Sequence, residues 1–232
     1  MSHPRALLPG SLFALSLSAL LLTASVQAAT LTAEFHQPGG APLADAVLTL
    51  RGPAGQPGTV LKADMDQRNQ QFAPHVLAVH TGTAIKFPNS DNIRHQVYSF
   101  SPAKRFELRL YEGTPSDPIT FDKPGVVVLG CNIHDWMLGY VYVTDDPRFA
   151  VSDAQGKLKL DDLPPGDYQL TLWHPQLADM QAQDAGTLNV PAGGVDKSFE
   201  LKLDGPVVDL PSAPAPNAFS DAFNRAARET SK

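Results

Sequence analysis

The chain has 232 residues, enough for one or two domains, and its 21 prolines and 17 glycines leave little room for uninterrupted helices. At 43% hydrophobic and 18% charged it holds too much apolar surface to be disordered throughout, so the expected class is all-β. A net charge of −6 argues against a nucleic-acid partner, and a single cysteine, Cys131, excludes an intramolecular disulfide.

Residues 1–28 read as an export signal. Arg5 supplies a basic start, residues 12–22 form an apolar run broken only by serine, and Val26-Gln27-Ala28 fits a small-residue cleavage site. The run is short of the ~20 residues that span a bilayer. The mature chain is therefore expected in a bacterial periplasm, with no stable membrane insertion once the signal is removed. That compartment oxidises thiols, so a lone cysteine there needs its sulfur occupied.

From residue 29 the chain reads as short strands between turn residues. Residues 31–35 alternate, Gln37-Pro38-Gly39-Gly40 turns, and 46–50 form a second strand closed by Gly52-Pro53 and a loop over 55–58. Strands are then predicted over 76–79, 84–87, 96–100 and 106–111. In the last of these Phe106, Leu108 and Leu110 share one face. Residues 126–129 are apolar throughout, as in a strand buried on both faces. Residues 139–143 lead to a boundary near Asp145-Asp146-Pro147. Beyond it, 157–160, 168–173, 187–190 and 198–203 read as four more strands. From residue 205 the composition shifts to Pro, Ala and Ser, and 205–232 are expected to be a solvated tail without fixed structure. Regularly spaced short strands of this kind suggest sandwiches or barrels.

The segment Gly130-Cys131-Asn132-Ile133-His134-Asp135-Trp136-Met137 carries the chemistry. It sets a thiolate, an imidazole and a thioether three residues apart on a loop after an apolar strand, a soft donor set suited to copper in both oxidation states. A trigonal His₂Cys site with a long axial Met needs one more imidazole, and His95, after the turn-rich Asn89-Ser90-Asp91-Asn92, is the best donor. Zinc also takes Cys and His, but thioether is a poor zinc ligand. His36, His75, His80 and His174 lack the ligand spacing.

On these residues the stretch 72–143 resembles the cupredoxins, the blue copper electron carriers. The matching pieces are Phe72-Ala73-Pro74, Gly82-Thr83, Phe87-Pro88-Asn89-Ser90-Asp91, His95 and the short, amicyanin-like Cys-x₂-His-x₂-Met loop. The resemblance implies a Greek-key β-sandwich over residues 65–146 and one type 1 copper ion. His95, Cys131 and His134 would be its equatorial ligands and Met137 its axial one. Val97-Tyr98-Ser99-Phe100-Ser101 and the Cys131 loop also look like a periplasmic family labelled methylamine utilisation proteins. The flanks are similar to a carboxypeptidase-regulatory-like β-sandwich: residues 40–47 look like its opening, and 153–168 like its continuation. The implied organisation is one smaller sandwich, 29–64 plus 147–204, interrupted by the cupredoxin.

The function expected is one-electron transfer between redox protein partners, without catalysis. Copper storage or delivery is the alternative, although the four methionines form no Met-rich tract. A third reading makes the flanking sandwich a binding module with copper incidental; Trp173-His174-Pro175 would be its best contact site, although a tryptophan on such a strand more often fills a core. A multicopper oxidase would need paired His-x-His motifs, and none occurs.

Overall fold

Alternation decides how the chain pairs. In the computed structural model, which describes residues 28–53, 62–115 and 117–204, the first strand buries Ala29, Leu31, Ala33 and Phe35 on one face. The export signal through Gln27, the loop at 55–58 and the tail from 205 lie outside the described residues. In chain order the strands are β1 (Ala29–His36), β2 (Val47–Arg51), β3 (Lys62–Asp64), β4 (Asp66–Arg68), β5 (Gln71–Ala73), β6 (Val76–His80), β7 (Thr83–Lys86), β8 (His95–Ser99) and β9 (Phe106–Tyr111). They continue with β10 (Ile119–Phe121), β11 (Gly125–Gly130), β12 (Leu138–Thr144), β13 (Arg148–Val151), β14 (Lys157–Leu163), β15 (Gly166–Trp173), β16 (Gln183–Val190) and β17 (Val195–Glu200). The described fold is all-β.

The strands form two sandwiches. One stacks the sheet β14-β1-β17 on β13-β2-β15-β16, around a core that includes Leu31, Phe35, Leu48, Leu50, Tyr168 and Leu170. Here β2 pairs antiparallel with β15, Leu50 opposite Leu170 and Val47 opposite Trp173, so residues far apart in sequence share one sheet. The other stacks β10-β7-β3 on β6-β12-β11-β8-β9, around Phe72, Ile85, Phe87, Phe121, Val127, Leu129 and Val141. Because β3 pairs with β7, the change of unit falls before Lys62, inside the 29–64 span expected to belong to the flanking sandwich.

The two units share a seam, and β2 explains it. Val47, Leu48, Thr49 and Leu50 are all buried, so β2 cannot have a solvent face. Leu48 and Leu50 point into their own sandwich core, while Val47 packs with Val76, Tyr142 and Trp173 from both units. Thr49 and Arg51 donate to the buried Asp146 carboxylate. His75 and Asp45 add a 2.7 Å pair across the same seam. Trp173 is fully buried and fills a core, and with His174 and Pro175 buried beside it the stretch offers no surface contact site.

Two of the expected strands, β9 and β11, differ from their sequence reading in which residues they bury. In β9 one extra residue sits between the pairs Val97–Leu108 and His95–Tyr111, a bulge that turns Tyr111 inward and leaves Leu110 half exposed. In β11 Val127 and Leu129 are fully buried, but Val126 and Val128 are only partly covered and line surface clefts. The apolar run therefore marks a strand with one fully buried face and an outer face only partly covered, Val126 by packing against the seam.

Candidate metal centre

His95 opens β8 and is wholly buried. The preceding loop is pinned by Asn89, whose side-chain amide donates to the carbonyls of Ile93 and Tyr111 at 2.9 Å each, while its side-chain oxygen accepts from Asp91 N–H at 3.0 Å. Asp91 thus lies beneath the imidazole, its Oδ2 2.7 Å from His95 Nε2. Burial pushes the Asp91 carboxyl up, but hydrogen bonds from the Gln70 N–H, His95 and the Asn69 N–H outweigh it and hold the group below the usual carboxylate range. The other ring nitrogen, His95 Nδ1, is buried and has no hydrogen-bond partner.

Cys131 and His134 reach the same point from the loop between β11 and β12. The loop is short and internally bonded, Met137 N–H to the His134 carbonyl at 2.9 Å and Leu138 N–H to the Trp136 carbonyl at 3.1 Å. Its ends are tightly packed: a Cβ on Gly139 would lie 2.7 Å from Phe72 Cβ, which requires glycine there, while one on Gly130 would lie 2.8 Å from the tip of the Tyr98 ring, a side chain that can shift. Cys131 is buried, and its Sγ lies 3.8 Å from His134 Nδ1. One donor atom from each of His95, Cys131 and His134 lies within 4.8 Å of the other two. Their rings meet as well, with His95 and His134 centroids 4.9 Å apart.

His134 alone of the three is partly exposed. Burial, then the neighbouring His95, lowers its proton affinity against the pull of Asp91, which favours the neutral imidazole that can donate a lone pair. Met137 is buried in the same core cluster as Cys131. Trp136 packs its ring 5.2 Å from that of His134. Ile133, half exposed, stands on the outer side of the loop.

The arrangement passes a chemical test for a soft metal. A buried, unpartnered imidazole nitrogen costs stability unless something accepts its lone pair. Beside it are a thiol and a second imidazole, the mixture that thiophilic transition metals prefer. The other described histidines are elsewhere: His75 pairs with Asp45, His36 with Ser198 at 2.9 Å, His80 meets Phe149 edge-on, and His174 bonds the Ala44 carbonyl. The sequence reading assigned no role to the Asp91 carboxylate beneath His95 or to the two glycines closing the loop. The i, i+4 relation of Asp91 to His95 was visible, but on a loop such spacing has no periodic meaning.

No protein-family profile matches the chain, and no curated protein matches it. Solved structures do. The chain is similar over 39% of its length to a copper-containing nitrite reductase from Thermus scotoductus SA-01, at 27% identity and a TM-score of 0.35. It spans 25% of that enzyme. A purple cupredoxin from Nitrosopumilus maritimus matches over 35% of this chain and 99% of its own, at 22% identity and a TM-score of 0.32. An amicyanin variant in its oxidised form matches over 41% of this chain and 99% of its own, at 16% identity and a TM-score of 0.33.

Proposed function

We infer that the chain is a type 1 copper protein of cupredoxin type that carries single electrons between redox partners. The observation that carries this reading is the meeting of Cys131, His134 and the buried His95, whose Nδ1 has no hydrogen-bond partner. These three residues would hold the ion, with Met137 as a weaker fourth donor. When bound, copper supplies a one-electron couple between Cu(I) and Cu(II).

The protein's own part is to keep the donors still and dry. Asn89 and the short Cys131 loop fix the two sides of the site on β8, β11 and β12, so the donors need not rearrange between oxidation states. The buried Cys131 and Met137 keep water from the inner side. His134, partly exposed, offers the edge through which an electron enters or leaves. The proposed location is the periplasm, and among the described residues no helix is long and apolar enough to cross a membrane.

The test is the visible spectrum of the purified protein after addition of Cu(II). An intense thiolate-to-copper charge-transfer band that bleaches on reduction and returns on oxidation supports the carrier. Colourless, tightly held Cu(I) that resists oxidation would point to storage instead.

A further inference from the structure

We propose that Asp91 is the positioning residue of this centre: its carboxylate holds His95 as the tautomer with a bare Nδ1 and strengthens that nitrogen as a donor to a divalent ion. The inference rests on the metal-binding reading of His95, Cys131 and His134.

The geometry leaves one assignment of protons. Asp91 Oδ1 accepts from Asn69 N–H at 2.6 Å, and Oδ2 accepts from Gln70 N–H at 2.9 Å. His95 Nε2 stands 2.7 Å from the same Oδ2. A carboxylate receiving two backbone N–H bonds is an acceptor, so Nε2 carries the imidazole proton and Nδ1 carries the lone pair. That Nδ1 is the buried atom with no partner. A histidine that binds metal through one nitrogen and donates the other N–H to a carboxylate is fixed in ring orientation and is a more basic ligand.

The carboxylate is itself held from outside the site. Asn69 and Gln70 join β4 to β5 with left-handed backbones, φ 54° and 59°, a turn that points both N–H groups at Asp91. Asp91 is also tied to the loop by its own N–H on Asn89. Those two N–H bonds dock the β4–β5 turn on the loop that carries Asp91. The third bond, to a side chain with no solvent exposure, links the hairpin to the donor set. The extra negative charge favours Cu(II) over Cu(I), because it offsets the higher charge of the oxidised ion.

The experiment uses the full chain, metal-free and copper-loaded, with Asp91→Asn, Asp91→Ala and His95→Ala. In the metal-free protein, nitrogen-15 NMR of the imidazoles should find His95 protonated at Nε2 in the parent and mixed between tautomers in Asp91→Ala. Competition against chelators should show Asp91→Ala losing about 10- to 100-fold in Cu(II) affinity and less in Cu(I) affinity. Each tenfold change in that ratio raises the reduction potential by about 59 mV. Asp91→Asn, which keeps an acceptor oxygen but not the charge, should fall between, and it carries the test if Asp91→Ala does not fold. Folded variants with an unchanged Cu(II)/Cu(I) ratio and parent tautomer would overturn the proposal, as would equal losses for both ions. A parent protein and His95→Ala that bind copper alike would instead sink the metal-binding reading itself.

Discussion

His174 should make the protein sensitive to mild acid. The side chain is buried at the seam, with Nε2 donating to the Ala44 carbonyl at 3.1 Å and Nδ1 accepting from the Gln176 N–H at 3.1 Å. A second proton would have to sit on Nδ1, facing a donor. Burial, partly opposed by nearby Asp45 and by the Ala44 bond, pushes the group from 6.5 down to about 4. A depressed folded value means that the native state favours the neutral ring. Its contribution is therefore complete above 6.5 and is lost as pH falls toward about 4. The full span corresponds to about 3 kcal/mol, of which about 2 kcal/mol should be gone by pH 5. His174→Gln keeps a donor for Ala44 but cannot titrate, so it should start less stable at pH 7.5 and lose less on acidification. Urea unfolding of both metal-free proteins at pH 7.5, 6 and 5 measures this, and the gap between them should narrow by about 2 kcal/mol. Parallel pH profiles would refute the reasoning.

Other substitutions probe the seam, the loop ends and the axial position. Trp173→Ala removes a fully buried ring shared by both units and should cost about 3–5 kcal/mol in urea unfolding. Gly139→Ala should destabilise by about 1–3 kcal/mol, since its new methyl meets Phe72 Cβ, which moves only with the backbone. Gly130→Ala should cost less in the same assay, because the tip of Tyr98 is partly exposed and can swing aside. Met137→Gln should retain copper and lower its reduction potential in voltammetry, as a harder oxygen donor favours Cu(II).

The Cys131 loop was legible in the sequence because three donor types sit within seven residues and the spacing needs no tertiary knowledge. His95 was legible only through the turn residues before it, since its approach to Cys131 depends on β8 lying beside β11, where Gly130 pairs with Tyr98. Asp91 escaped because its role depends on the Asn69–Gln70 turn; asparagine accepts a left-handed backbone readily, but Gln70 gives no such signal and the turn's docking on Asp91 is tertiary. The three-residue strands β3, β4, β5 and β10 escaped because so short a run shows no alternation. Leu110 was placed on one face with Phe106 and Leu108 by strict alternation, and the β9 bulge, set by pairing with β8, put Tyr111 there in its stead. For β2 and Trp173 the apolar pattern was visible, but not the second unit against which their outer faces pack.

The central claim is that Cys131 supplies a thiolate to copper beside His95 and His134. Its most direct test is titration of the parent protein and Cys131→Ser with Cu(II), followed by visible absorption and a chelator competition. The account predicts an intense charge-transfer band reaching its limit at one copper per parent chain, and in Cys131→Ser no such band and a weakened affinity. A Cys131→Ser protein that keeps the parent spectrum and the parent affinity would contradict it.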